Sequence, residues 1–97
     1  MSLEIVATEY FVKQLELLPE KTKGIIKSKI ELVKLDPFRY KKIYSKHISH
    51  VYRIRLNIEN EETRLIYAVL ANKIVFVCLL DRKNDYKDLE KYLQKIN

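Results

Sequence analysis

Residues 50 to 70 read HVYRIRLNIENEETRLIYAVL. Taken with period two, Tyr52, Ile54 and Leu56 share one face of a strand, and Arg53 and Arg55 share the other. After an acidic, polar break from Asn57 to Glu62, a second strand-like run opens with Arg64. A strand that packs on a core gives up burial wherever it carries a guanidinium group. Three arginines on two successive strands therefore raise a chemical question: what anion do they face?

The distribution of charge sharpens it. The chain has a net charge of +6. Residues 1 to 36 carry six lysines and six acidic groups, and residues 59 to 97 carry seven basic and seven acidic groups. Between them, residues 37 to 58 hold Arg39, Lys41, Lys42, Lys46, Arg53 and Arg55 and no acid. The whole excess lies in one loop and one strand, with Tyr40, Tyr44 and Tyr52 interleaved. Scattered lysines aid solubility, whereas a localised excess suits phosphate, because each neutralised phosphate releases counterions. Nucleic acid or an acidic protein is the expected partner. Arg39, Lys41, Lys42, Lys46 and the adjoining His47 are the candidate nucleic-acid-binding residues.

Length and composition bound the rest. Ninety-seven residues, 47% hydrophobic and 33% charged, with one Gly and two Pro, make a single globular domain over 1–97. Such a chain buries one sheet against two or three helices and leaves little for a deep pocket, so function is expected on an exposed face. The longest apolar run, Ile74 to Leu80, is too short to cross a bilayer, and no signal peptide is visible. A single Cys78 permits no internal disulfide and reads as a buried thiol in a reducing, cytoplasmic setting. His47 and His50 would point to opposite faces of a strand, so they make no metal pair, and no cofactor is expected. Asp81, Asp85 and Asp88 read as groups that cap or solvate the last helix.

Working outward from the quoted stretch, residues 3 to 7 form a short strand, and Thr8 is an N-cap with Glu9 in the first turn. Phe11, Leu15 and Leu18 give a helix over about 9–18. Pro19 suits the first turn of a second helix, lined by Ile26, Ile30 and Val33 and closed by Asp36-Pro37. Residues 39–46 read as a basic loop. Strands are expected at about 47–57, 63–71 and 73–81, the last two joined through Ala71-Asn72. The run KIVFVCLL is apolar on both faces, as in a strand covered on both sides. From Asn84, the positions Tyr86, Leu89, Leu93 and Ile96 give a C-terminal helix. The expected order is β-α-α-β-β-β-α, an α+β fold.

The segments FVKQLELLPEKTKGIIKSKIELVKLDP, VYRIRL, TRLIYAVL and IVFVCLLDRKNDY, in this order, resemble the RelE/ParE superfamily of toxin–antitoxin toxins over essentially the whole chain. The resemblance implies a RelE-like fold, with a curved, largely antiparallel sheet and an N-terminal helical hairpin. It also implies a cytoplasmic toxin that cleaves mRNA in the ribosomal A site, in contact with ribosomal RNA, and is held inactive by a cognate acidic antitoxin. Carried over residue by residue, Arg53 and Arg55 fall where RelE-type nucleases have paired basic residues, often lysines. Arg64 matches a phosphate-contacting arginine, and Arg82 a second catalytic arginine at the end of the last strand. Tyr86 matches a tyrosine that stacks on or orients the nucleotide. Two departures stand out: the pair is Arg/Arg, and Thr63 precedes Arg64 where an aromatic is common. The hairpin NIENEE is also acidic and reads as somewhat long.

Attack of an RNA 2′-hydroxyl on phosphorus passes through a dianionic, five-coordinate state that fixed guanidinium groups stabilise. Arginine stays protonated at neutral pH, so Arg53 and Arg55 are poor general bases. Tyr86 and His47 remain as candidates, as does positioning by the ribosome alone. Two alternatives stay open: a ParE-like inhibitor of DNA gyrase, and a member that binds RNA or antitoxin with little catalysis.

Overall fold

The computed structural model describes residues 3–81 and 88–96. The chain runs β1 (Glu4–Ala7), α1 (Glu9–Glu16), α2 (Glu20–Leu35), β2 (Lys41–Ile43), β3 (Val51–Ile58), β4 (Glu61–Leu70), β5 (Lys73–Asp81) and α3 (Leu89–Ile96). The strands form one sheet in the order β1-β5-β4-β3-β2. β1 lies parallel to β5, and the other neighbours are antiparallel. The α+β architecture, the helical hairpin and the largely antiparallel sheet agree with the sequence reading.

Three local readings need correction. The basic loop at 39–46 contains a short edge strand, β2, which pairs Lys41 with Arg53 and Ile43 with Val51. Its three residues carry little apolar pattern, so only the neighbouring strand reveals it. β3 begins at Val51 and not near 47, which leaves His47 and His50 before the strand. The β3–β4 connection is tight: Glu59 and Asn60 both take positive φ (52° and 66°), the signature of a two-residue turn whose twist matches its strands. The acidic residues around it belong to the strands themselves. Pro19 sits at the N-cap of α2, just outside the helix, and α2 stops at Leu35 before Asp36-Pro37 as expected. The expected helix start near Asn84 lies outside the described residues.

Alternation divides the sheet into two apolar faces. On the first, Phe11 of α1 and Ile26 and Val33 of α2 pack with Tyr52, Ile54, Leu56, Leu65, Tyr67, Phe76 and Leu79. Tyr67 is fully buried there, stacked on Tyr52 at 5.3 Å between ring centroids, and its hydroxyl donates to the Pro37 carbonyl. On the second, Leu89 and Leu93 of α3 cover Val51, Ile66, Ala68, Val75, Val77, Cys78 and Leu80. β5 feeds both faces, which explains its unbroken apolar run.

Burial on both faces leaves β5 with an edge to satisfy. β1 pairs only with Lys73 to Phe76 of β5. Beyond it, Thr8 donates its hydroxyl to the Val77 carbonyl at 2.7 Å while accepting the Phe11 amide, so one side chain caps α1 and ties it to the sheet. One turn on, the Gln14 amide acts as a stand-in strand. It donates to the Leu79 carbonyl at 2.9 Å and accepts the Leu79 N–H at 2.7 Å. Replacing Gln14 with Leu strands both backbone groups. Equilibrium urea unfolding is expected to show a loss of about 1–3 kcal/mol, with the fold retained.

Candidate functional site

The question posed by Arg53, Arg55 and Arg64 is answered by register. Residue 55 of β3 stands directly opposite residue 64 of β4, and residue 53 stands opposite Lys41 of β2. All four cations project from the second face, the one that α3 covers only in part. Arg53 and Arg64 are partly buried, whereas Arg55 and Lys41 are exposed. Like charges directly opposite on a sheet destabilise it, by something like the ~0.2–1 kcal/mol that opposite charges contribute. Two such pairs side by side make a basic row on this face.

The rest of the basic segment is split by the sheet. Lys42 pairs with Tyr52 and belongs to the first face, across the sheet from the row. The guanidinium of Arg39 lies 6.0 Å from the centre of the Tyr40 ring. Lys46 gives its backbone N–H to Glu90 of α3 at 3.3 Å. The same carboxylate accepts the Ser45 hydroxyl at 3.4 Å and lies 3.5 Å from the His47 Nε2. Glu90 thus clasps the 45–47 segment to α3, and His47 does not share the strand parity with Arg53 that an earlier strand start would have given it. Arg82 and Tyr86 lie outside the described residues.

A second acidic group lies beside the row. Glu62 stands opposite Asn57, on the same face as the row, with its Oε1 3.7 Å from the Arg55 Nε. From sequence, Glu62 read as part of an acidic connection. The tight turn places it in a strand, next to the arginines.

No protein-family model matches the sequence, and no curated protein matches it. Solved structures do. A mutant of the E. coli toxin RelE in the free state aligns with a TM-score of 0.74 at 17% identity, covering 99% of this chain and 98% of that one. The isolated E. coli RelE toxin gives 0.67 at 17% identity, covering 99% and 100%. The intact E. coli RelBE toxin–antitoxin complex gives 0.62 at 19% identity, covering 81% of this chain and 95% of that one. The chain has the RelE fold.

Within this RelE fold, the described residues contain no cluster of three metal-ligating side chains and no helix long and apolar enough to cross a membrane. Cys78, under α3, is no candidate nucleophile, because burial pushes its thiol up to about 12. Tyr92 of α3 stacks on Tyr10 at 4.6 Å, and a hydrogen bond with Tyr10, followed by burial, pushes its hydroxyl up to about 12. For both groups the folded value is raised, so their contribution to stability is complete below the unfolded value and is lost as pH rises toward 12. A thiol reagent at pH 8 is expected to label the unfolded protein fully and the native protein slower by roughly two orders of magnitude or more. Equal rates would place Cys78 at the surface.

Proposed function

We propose that this protein is the toxin of a toxin–antitoxin pair, a metal-independent endoribonuclease that cleaves mRNA in the ribosomal A site and so inhibits translation in the cytoplasm. The observation that carries the reading is the basic row itself, with two directly opposed like-charged pairs on a sheet face. Likeness to RelE in fold supports it. In this reading Arg64 and Arg55 flank the scissile phosphate and stabilise the charge that develops on it as the 2′-oxygen attacks. Arg53 and Lys41 hold a neighbouring phosphate, and ribosomal RNA takes the more peripheral Arg39, Lys42 and Lys46. Arg82 and Tyr86 enter by their match to the family pattern, as a second phosphate ligand and a stacking or orienting group. The partner that restrains the toxin is an acidic antitoxin, drawn to the segment that holds all of the net charge.

The split of the basic segment between faces yields a test of binding. Two neutralised phosphates of a short single-stranded RNA give a slope of log affinity against log salt of about −1.4. The double variant Lys41→Ala/Arg53→Ala, which gives up one of them, is expected to reduce that slope by about 0.7, whereas Lys42→Ala, across the sheet, leaves it near the wild-type value. A slope equally sensitive to Lys42 would move the interface off this face.

Chemistry is tested on programmed ribosomes by primer extension. Arg64→Ala is expected to retain its fold and ribosome binding while losing ~3 kcal/mol of transition-state stabilisation, roughly a hundredfold or more in cleavage rate. Wild-type protein that leaves A-site mRNA intact but stalls DNA gyrase would replace this reading with the ParE-like one. Wild-type protein that binds ribosomes and cuts nothing would leave a binding member of the fold.

A further inference from the structure

The nuclease reading leaves one step unassigned, with Tyr86 and His47 as the candidates offered by the sequence. The attacking 2′-hydroxyl has to lose its proton, and the groups of the row described above are guanidinium groups and an ammonium, which are donors. We propose that Glu62 is the general base of the reaction. This inference rests on the nuclease reading above.

Three observations converge on it. First, register: Glu62 opposes Asn57, and Arg64, two residues further along β4, opposes Arg55, so the carboxylate and both guanidinium groups project from one face. Residues two apart on a strand are about 7 Å apart, within the span of one nucleotide's phosphate and ribose. Second, contact: the Glu62 Oε1 lies 3.7 Å from the Arg55 Nε, with a third of the Glu62 side chain exposed. An arginine that holds the phosphate thereby also positions the carboxylate beside it. Third, the other acids near the row among the described residues are placed elsewhere. Asp81 opposes Thr63 and belongs to the first face, Glu61 opposes Ile58, and Glu90 is engaged with Ser45, Lys46 and His47.

Among the described residues, the groups facing Glu62 include Arg55 and Asn57 from β3 and Arg64 along its own strand, while β5 contributes Leu80 opposite Arg64. In the step proposed, the Glu62 carboxylate takes the 2′-hydroxyl proton as the 2′-oxygen forms its bond to phosphorus. The bond from phosphorus to the 5′-oxygen breaks, and that oxygen leaves with the electron pair and takes a proton from water. The products are a 2′,3′-cyclic phosphate and a 5′-hydroxyl, and Glu62 returns its proton to solvent.

The test is single-turnover cleavage on programmed ribosomes from pH 6 to 9, for wild type and Glu62→Gln, with ribosome binding measured alongside. The wild-type rate is expected to be nearly flat over this range. Glu62→Gln keeps the side-chain shape and removes a negative charge from the row, so it should bind ribosomes at least as tightly. Its cleavage should be about a hundredfold slower at pH 6 and rise about tenfold per pH unit, because hydroxide must now take the proton. Cleavage by Glu62→Gln at the wild-type rate would overturn the inference and leave the nuclease reading standing. A slow variant whose profile stays flat, or one that no longer binds ribosomes, would also overturn it, since Glu62 would then act only through Arg55 or the fold. Wild-type protein that cuts no mRNA would overturn both.

Discussion

β5 is apolar on both faces, and such a strand is stable only where helices cover both faces and both of its edges are hydrogen-bonded. Much of the molecule follows from meeting those demands. The α1–α2 hairpin covers one face and α3 covers part of the other. β4 satisfies one edge along its length. The other edge is met in three pieces, by β1, by the Thr8 hydroxyl and by the Gln14 amide. A single short helix thus serves as both a cover and a hydrogen-bonding edge, which fixes its position relative to the sheet.

Among the described residues, the candidate site lies on the part of the second face that α3 does not cover. α3 has eight described residues, with Leu89 and Leu93 buried against the centre of its face. The face extends beyond the apolar patch under α3 to the part of β2, β3 and β4 that carries Lys41, Arg53, Arg55 and Arg64. Because β3 and β4 alternate, the positions that anchor the first core through Tyr52, Ile54, Leu65 and Tyr67 also hold the arginines in place on the other side. A stiff, stacked aromatic layer backs the charged row. Pre-organised donors of this kind need little rearrangement when charge develops on a phosphate.

The acidic side chains illustrate how context assigns a role. Glu90 and Glu62 both lie on the side of the sheet that carries the basic row, and both meet basic partners. Glu90 gathers the 45–47 segment through a hydroxyl, a backbone amide and an imidazole, and so closes the loop leading into β3. Glu62 sits beside an arginine, with part of its side chain left to solvent.

The sequence by itself determined the helical hairpin, its stop at Asp36-Pro37, the tight Ala71-Asn72 turn, the doubly covered strand and the clustering of positive charge. Each is a local signal: a period, a proline, a short turn or a run of one charge. Tertiary structure alone decided which charges share a face. Lys41 and Lys42 are neighbours in sequence and fall on opposite faces, because a three-residue edge strand takes its register from β3 and not from its own pattern. Glu62 looked like part of a loose acidic connection until Glu59 and Asn60 were seen to take the turn on their own. Gln14 is a polar residue of α1 with no local mark of its role. Its partner is 65 residues away, on a strand edge that exists only once the sheet has formed. Pairings of this kind depend on register between distant segments, and one residue of slip moves every side chain to the other face.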